Sequence, residues 1–523
     1  MQDVANYTRY CPDQPRALIS DVICLGRRRS RYPQCPGCQF NPDDTGPVQV
    51  AAPNASPPQR PSAPQTIEEL FVGYDIQAKY PEVLTDEVSW RIGHAAASYL
   101  RGALKGLDRT DPVATALVVG RDNRPGSSAL CAALSKGARS TGATIVDVGV
   151  IDWPQLAFAI NHLGACGGVL ATGSARPIAI NGFKLLGHAG RSLGLDTDLA
   201  DICRIAQNMV RHDTGMQGKA RGLDLTDEYR SFVRGRLRTN LRPMRIVVDA
   251  ANGSAGHWLP ALLEGVEGVE LVVINGELNG DFAHDPDPLV SANLKSARKA
   301  VRDHHADLGV CFDGDASRLV LLDERAQCVG GDLITALLAG RFLERFPGST
   351  VVYDLRSSRI VAEEIKKAGG TPRRERAGQA FIKKALAESK ATFGGGPTGR
   401  FYFCAPEPCD SSILALVEII NLLGRQKSPF SKLTQPLRRY ANSGPLCIAH
   451  AEPDSAVRTL AGIYADARVD FLDGITVQYP DWWFNARKRI DSEEPALGLV
   501  VEAATKTMMQ QKVKEVTGHL VNR

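Results

Sequence analysis

Four loops carry the residues of this 523-residue chain that could do chemistry. The first, at 167–184, places Ser174 among small residues after an apolar strand. The second, CFDGDASR, holds Asp313 and Asp315 at alternate positions of a tight turn, so two carboxylates face one point, as a hard divalent cation requires. The other two are FGGGPTGR at 393–400 and RKRIDSEEP at 487–495. All four follow predicted strands, where open α/β sheets bind ligands.

The first forty residues contain a second set of candidate ligands. Cys35 and Cys38 form a CxxC pair of the kind that binds zinc, and Cys11 and Cys24 supply two more thiols for a tetrahedral Zn²⁺ site. Cys11 and Cys24 do not form another such pair, so free or redox-active thiols remain the alternative. The following segment, 41–66, is rich in Pro, Ala and Ser and predicts an extended linker. A metal knuckle on such a linker favours docking to a protein partner.

The composition excludes several classes of protein. With 43% hydrophobic and 23% charged residues, the chain is neither mainly disordered nor fibrous. The net charge of +4 demands neither a nucleic-acid nor a membrane partner. No apolar run reaches the ~18 residues that a membrane span needs. The N-terminus lacks the pattern of a signal peptide, so we expect a cytoplasmic protein.

The elements that must position the loops alternate between strand and helix patterns. TALVVGRD is a β-rich run at 115–122, SSALCAALSKGARSTG is helix-like at 127–142, and TIVDVGV follows as a second strand. This rhythm recurs twice and predicts α/β mixed sheets, whereas the last segment predicts short strands and a terminal helix. The predicted organisation is a Cys-rich extension at 1–40, the linker at 41–66, three α/β domains at 67–222, 223–334 and 335–440, and an α+β domain at 441–523.

In their order and separations, the four loops resemble those of the α-D-phosphohexomutase family, which includes phosphomannomutase/phosphoglucomutase. The resemblance runs from Phe71 to the C-terminus. Framework motifs support it: GYDIQA at 73–78, VVGRDNR at 118–124, DAANGSAG at 249–256, HDPDP at 284–288 and RAGQAFIK at 376–383. The family resemblance implies four domains around a central cleft.

The resemblance also implies a chemistry, the reversible transfer of phosphate between C1 and C6 of a hexose through a phosphoserine. Such intramolecular phosphotransfer depends on positioning and on neutralising charge. The implied roles are catalysis by Ser174, Lys184 and Arg318, Mg²⁺ binding by Asp313, Asp315 and phosphorylated Ser174, and binding of the hexose phosphate by Thr398, Arg400, Arg489 and Lys383.

The serine and metal loops depart from the family pattern. In the TxSHNP motif, Ala175 and Arg176 replace the family's histidine and asparagine. Arg176 brings a fixed cation that could pair with an anion. In DxDxDR, Ser317 replaces the third aspartate. Because Mg²⁺ prefers charged oxygen ligands, we expect a weakened metal site, with a simple strand-ending turn as the alternative.

The sugar and phosphate loops depart as well. Gly396 replaces the glutamate of GExSGH, which orients the hexose, and Arg400 stands where the family has histidine. In the fourth loop, Asp491 and Glu493 stand where hydroxyl groups should donate to phosphate, unless the loop is remodelled and they face solvent. Two further residues depart from the family pattern: Gln77 replaces the opening arginine, and Gln379 replaces the third-domain histidine.

Three functions are compatible with this pattern. Departures in all four loops favour a family member whose mutase activity is lost or strongly reduced, a pseudoenzyme that binds another ligand or a partner. Retention of Ser174, Asp313 and Asp315 favours the alternative, an active Mg²⁺-dependent mutase acting through phosphorylated Ser174. Hydrolysis from Ser174, as in a phosphatase, is the third.

Overall fold

A computed structural model describes residues 7–11, 14–20, 66–104, 114–194, 198–209, 217–404, 408–489 and 495–521. The chain divides into two compact units, 1–63 and 64–523. In the first unit, β1 (Tyr7–Cys11) and β2 (Gln14–Ser20) form an antiparallel pair. Cys24, Cys35 and Cys38 lie outside the described residues, so the predicted zinc site and protein partner stay predictions.

The first sheet of the second unit has seven strands in the order β3-β4-β8-β7-β5-β6-β9. Its strands β5, β6, β7 and β9 run parallel to their neighbours in that group, and β8 is antiparallel to β7 and β4. The strands are β3 (Phe71–Val72), β4 (Asp75–Lys79), β5 (Leu117–Arg121), β6 (Ile145–Val150), β7 (Gly167–Ala171), β8 (Ile180–Gly187) and β9 (Ala220–Gly222).

Helices cover both faces of this sheet. Leu117 and Val119 of β5 pack towards one set of helices, whereas Val118 between them packs towards another that includes Trp153. Burial on both faces explains why β5 is almost continuously apolar. The helices of this region are α1 (Asp86–Gly102), α2 (Ser127–Arg139), α3 (Trp153–Leu163) and α4 (Asp198–Asn208).

The next two sheets share one topology. Each has two parallel pairings followed by two antiparallel ones, in the orders β11-β10-β12-β13-β14 and β16-β15-β17-β18-β19. The strands are β10 (Met244–Asp249), β11 (Val269–Ile274), β12 (Leu308–Phe312), β13 (Leu319–Asp323), β14 (Cys328–Val329), β15 (Thr350–Asp354), β16 (Thr371–Glu375), β17 (Phe393–Gly395), β18 (Phe401–Cys404) and β19 (Pro408–Asp410).

One apolar core joins these two sheets, with Ile246 and Val310 from one sheet and Val351 and Phe393 from the other. The stacked rings of Phe342 and Phe393 lie 4.8 Å apart in this core. The accompanying helices are α5 (Thr226–Arg234), α6 (Ala255–Leu263), α7 (Lys295–Asp303), α8 (Gly331–Arg345), α9 (Arg359–Lys367), α10 (Gln379–Ser389), α11 (Ser412–Leu423) and α12 (Phe430–Thr434).

The fourth sheet is antiparallel and has the order β20-β25-β24-β23-β22, with β21 also paired to β25. Besides the predicted terminal helix α14 (Lys506–Val521), it carries a second helix, α13 (Pro453–Ile463), which the sequence reading did not predict. The strands are β20 (Ala441–Asn442), β21 (Leu446–Ala449), β22 (Arg468–Asp470), β23 (Ile475–Gln478), β24 (Trp482–Lys488) and β25 (Ala496–Ala503).

The predicted fold class, consecutive α/β mixed sheets followed by an α+β region, is confirmed. The described residues contain no helix with both the length and the apolarity to cross a membrane. Three of the chemical loops are equivalent turns of the repeated topology. Each connects a strand to the antiparallel strand that follows it in the chain: β7 to β8 at 172–179, β12 to β13 at 313–318 and β17 to β18 at 396–400.

Candidate active site

The backbone of the serine loop holds Ser174 in an unusual conformation. Its φ angle is 51°, in the left-handed region that non-glycine residues avoid. The backbone N–H of Ser174 donates to the hydroxyl of Thr172 over 2.8 Å, and the Ser174 side chain is buried. Such a conformation costs about 1–3 kcal/mol and persists only where the surroundings enforce it.

Arg124, from the VVGRDNR motif, enforces the shape of the loop. Its guanidinium is buried and lies 3.3 Å from the carboxylate of Asp122. It also donates four hydrogen bonds to carbonyl oxygens of the loop, those of Ser174, Arg176, Pro177 and Ile180. One side chain therefore satisfies four carbonyl groups within and at the end of a loop that has no regular secondary structure.

The Ser174 hydroxyl meets the acidic loop of the second sheet. Its Oγ lies 3.1 Å from Asp313 Oδ2, 3.1 Å from Asp315 Oδ1 and 3.3 Å from Ser317 Oγ. Lys184, on β8, donates from Nζ to the same Oγ over 3.2 Å. The structure thus brings together four predicted site residues, and all of them are buried.

Lys184 controls the charge of Asp315. Its Nζ lies 2.8 Å from Asp315 Oδ2, and both side chains are at most 1% exposed. Burial alone would raise the pKa of Asp315, but the Lys184 cation lowers it to about 2. Burial and the neighbouring Asp315 charge raise the pKa of Asp313. One of the two predicted metal aspartates, Asp315, is therefore already paired with a buried cation.

A second cation reaches the cluster from the third loop. Arg400 donates from Nη2 to Ser317 Oγ over 3.1 Å, and Lys184 Nζ donates to the same oxygen over 3.2 Å. Ser317 in turn donates to Asp313 Oδ2 over 2.8 Å. A hydroxyl has one hydrogen and two lone pairs, so these three contacts use its full capacity.

Asp410 anchors both Arg400 and Lys383. Its carboxylate lies 3.0 Å from Arg400 Nη1 and 2.7 Å from Lys383 Nζ, and it accepts a 2.7 Å hydrogen bond from Nε1 of Trp153. Burial would raise the pKa of Asp410, but the two cations lower it to about 2. Lys383 and Arg400, both predicted to bind substrate, are therefore engaged with a buried carboxylate.

Sequence reasoning did not predict Asp410 or Trp153. Trp153 begins α3, whose first turn is set by Asp152 as N-cap and by Pro154. Its ring lies 4.8 Å from Lys184 Nζ, so Trp153 contacts Lys184 through its ring and Asp410 through its indole N–H. Neither residue falls in a recognisable motif, and their contact spans 257 positions of the chain. Only the tertiary structure reveals it.

Two further departures from the family pattern contact each other. Nε of Arg176 donates to Oε1 of Gln77 over 3.1 Å. Relative to the family pattern, the amide and the guanidinium have exchanged positions, and a guanidinium remains beside the serine loop. Like Ser317 and Arg400, these two residues form a matched pair rather than two independent losses.

The sugar loop has no room for the family glutamate. A Cβ atom at Gly396 would lie 2.7 Å from Cβ of Asp354, whose buried carboxylate forms an ion pair with Arg356. Asp354 would therefore have to move before any side chain could occupy position 396. Thr398 is half-buried in the turn that follows.

The other predicted site residues lie further from the serine. The backbone N–H of Arg318 donates to Asp313 Oδ1, and its Nη1 lies 4.0 Å from Asp287. Arg489 is half-buried directly after β24, where its backbone N–H donates to Ala496. Within the described residues, the Ser174 hydroxyl hydrogen-bonds neither Thr398 nor Arg489. Asp491 and Glu493 lie outside those residues.

The residues around Ser174 fit Mg²⁺ poorly. The third ligand position is a neutral hydroxyl that is already saturated, and the carboxylate of Asp315 is paired with Lys184. Lys184 forms an ion pair with Asp315, whereas Arg400 is paired with Asp410 and reaches the cluster through Ser317. Over the part of the chain that the structure describes, no three His, Cys, Asp or Glu side chains converge to hold a metal ion. The residues around Ser174 therefore do not offer the charged oxygen ligands that octahedral Mg²⁺ coordination prefers.

Comparisons with known proteins agree with this architecture. Three domain models described as phosphoglucomutase/phosphomannomutase alpha/beta/alpha domains I, II and III match residues 68–211, 227–330 and 330–440. Over 444 residues the chain is 32% identical to a phosphomannomutase of Salmonella typhimurium and 31% identical to one of Escherichia coli. Each alignment covers 83% of this chain and 94% of the relative.

A solved structure agrees as well. A phosphoglucomutase/phosphomannomutase family protein from Burkholderia thailandensis superposes with a TM-score of 0.78 at 27% identity, covering 87% of this chain and 98% of the other. The matched domains and the shared fold show that the chain belongs to the α-D-phosphohexomutase family.

Proposed function

We propose that the cleft at Ser174 binds a hexose phosphate or a related small anion, and that Mg²⁺-dependent mutase activity is lost or strongly reduced. The observation that carries the proposal is the contact between Arg400 and Ser317. It fills the third metal-ligand position with a cation and a neutral hydroxyl. A divalent cation there would face a guanidinium instead of a carboxylate.

The sugar loop supports the same conclusion. The family glutamate can bind hexose hydroxyls only if its side chain fits at this position. A Cβ atom at Gly396 would clash with Asp354, so the side chain has no room. When the hydrogen bonds between a site and the substrate hydroxyls are not made, the reaction rate falls by several orders of magnitude. Because the loops act as one unit on one substrate, losses in two of them are not additive, and the loss of either is expected to lower activity strongly.

The alternative, an active mutase, has its own support. Ser174, Lys184, Asp313 and Asp315 are assembled within 3.2 Å contacts and are buried, as a nucleophile and its charge partners should be. In this alternative, Lys184 would stabilise the charge that develops at the serine oxygen. The paired replacements would then be adaptations of a working site.

Turnover decides between the two. Purified full-length protein is incubated with MgCl₂, a hexose 1-phosphate and catalytic hexose 1,6-bisphosphate, and 6-phosphate formation is followed for the wild type and Ser174→Ala. The proposal expects both proteins to give the same background rate. It expects a fluorescence or calorimetric titration to detect binding of the hexose phosphate to both. Turnover that Ser174→Ala abolishes would establish the active mutase instead.

We also propose domain boundaries near residues 222, 334 and 440. The three matched domain models support them, because their ends fall close to these positions. Limited proteolysis followed by mass spectrometry would test the boundaries. Early cleavage inside a sheet rather than near them would contradict the assignment.

A further inference from the structure

We infer that Lys184 and Arg400 supply at Ser174 the positive charge that a divalent cation would otherwise supply, so that the cleft holds a phosphate dianion without divalent metal. The inference rests on the proposed function, since it assumes that an anion enters this cleft.

The two cations contact the neighbouring hydroxyl groups of Ser174 and Ser317. Nζ of Lys184 lies 3.2 Å from Ser174 Oγ. Nη2 of Arg400 lies 3.1 Å from Ser317 Oγ, which is itself 3.3 Å from Ser174 Oγ. Both cations therefore point at the same pair of hydroxyl groups. Relative to the family pattern, the site has one carboxylate fewer, at Ser317, and one cation more, at Arg400, which together shift the charge beside a bound phosphate by two units.

The saturation of Ser317 is the second argument. Its oxygen accepts from Lys184 and Arg400 and donates to Asp313, so no lone pair is left for a metal ion. Lys184 also holds Oδ2 of Asp315 over 2.8 Å, so a divalent cation on the other oxygen of this carboxylate would lie close to an ammonium group. A divalent cation would therefore compete with charges that are already in place.

Rigid support of the cations is the third argument. Asp410 fixes the other end of the Arg400 guanidinium over 3.0 Å, and Trp153 fixes Asp410 over 2.7 Å. Lys184 is 1% exposed and rests against the Trp153 ring. Cations held in a buried site act on a ligand charge without the reorganisation that water would require.

The exchange at Gln77 and Arg176 gives independent support. Arg176 is half-buried in the serine loop and is oriented by Gln77 over 3.1 Å. Two pairs of departures from the family pattern, drawn from four separate segments of the chain, each end in direct contact. Random decay of a site does not predict such matching, whereas a site rebuilt to bind an anion does.

The test measures binding of inorganic phosphate to the full-length protein by calorimetry, in EDTA and in excess MgCl₂. The wild type is expected to have the same Kd in both buffers. Ser317→Asp restores a third carboxylate, and its phosphate affinity is expected to fall about tenfold in EDTA and to recover with MgCl₂. The same is expected of the double variant Ser317→Asp with Arg400→His. A glucose 6-phosphate titration is run in parallel.

A matched control is Arg345→His, which changes an arginine on α8 that is paired with Glu418. It should leave phosphate binding unchanged in both buffers. Phosphate and glucose 6-phosphate binding that appears only with MgCl₂ overturns this inference and leaves the proposed function standing. Absence of binding by both ligands in both buffers overturns the proposed function with it. A variant that does not fold is replaced by Arg400→Lys, expected to weaken phosphate binding in EDTA; unchanged affinity counts against the inference.

Discussion

Removal of the Asp410 carboxylate should destabilise the protein more than removal of any surface acid. Asp410 is 1% exposed and accepts from Lys383, Arg400 and Trp153 over 2.7, 3.0 and 2.7 Å. In Asp410→Ala, two buried cations and an indole N–H lose their common acceptor. In Asp410→Asn, the shape and one carbonyl acceptor remain, but the charge is lost and the second oxygen becomes an N–H donor.

The structure sets the magnitude of each loss. Removing one partner of a buried ion pair costs about 3–5 kcal/mol, because the other charge stays buried and unpaired. We expect this cost for Asp410→Ala. The pKa of Asp410 is lowered from 3.8 to about 2. At about 1.4 kcal/mol for each pKa unit, loss of the charge alone costs roughly 2 kcal/mol, which is the minimum expected for Asp410→Asn.

Chemical denaturation of the full-length protein at neutral pH measures these losses. The control is Asp201→Ala, an acid 46% exposed and paired with Arg204 over 2.9 Å, for which about 0–1 kcal/mol is expected. Because the folded-state pKa is lowered, the contribution of Asp410 is complete above pH 4 and is lost as the pH falls towards 2. Equal midpoints for Asp410→Ala and Asp201→Ala would refute the reasoning.

Three further predictions follow from the geometry. Ser174→Gly should be about 1 kcal/mol more stable than Ser174→Ala, because both lack the hydroxyl and only glycine relieves the φ of 51°; equal stability would show that the backbone relaxes. The hydrogen bond to Asp249 raises the pKa of His284, so its stabilisation is complete below pH 6.5 and is lost as the pH rises through the raised value. Denaturation midpoints of His284→Gln should lack this decline, and an identical decline would contradict the assignment. Gly396→Glu should lower the melting temperature and fail to restore mutase turnover, because the new side chain meets Asp354; a turnover gain would contradict the steric argument.

Much of the fold could be predicted from the sequence, because apolar strands alternate with helices and the loop motifs are local. The proximity of Ser174, Asp313 and Asp315 could also be predicted, because the family motifs that contain them are local sequence patterns. The fourth-sheet helix at 453–463 was missed. That three chemical loops are equivalent turns of a repeated topology was also hidden, because strand order carries no sequence signature.

The contacts that change the functional interpretation of the site could not be predicted from the sequence. Ser317 and Arg400 are 83 positions apart, and Gln77 and Arg176 are 99 positions apart. Each departure, considered within its own motif, indicated a loss. Only their contact in space shows that a lost carboxylate is matched by a gained guanidinium.

The most direct test of this account is the Mg²⁺ affinity of the folded protein, measured by calorimetric titration of the wild type and of Ser317→Asp combined with Arg400→His. If Lys184 and Arg400 have taken the place of the metal, the double variant should bind Mg²⁺ at least about tenfold more tightly than the wild type, because it gains a carboxylate ligand and loses a competing cation. A wild type that binds Mg²⁺ as tightly as the double variant would contradict the account.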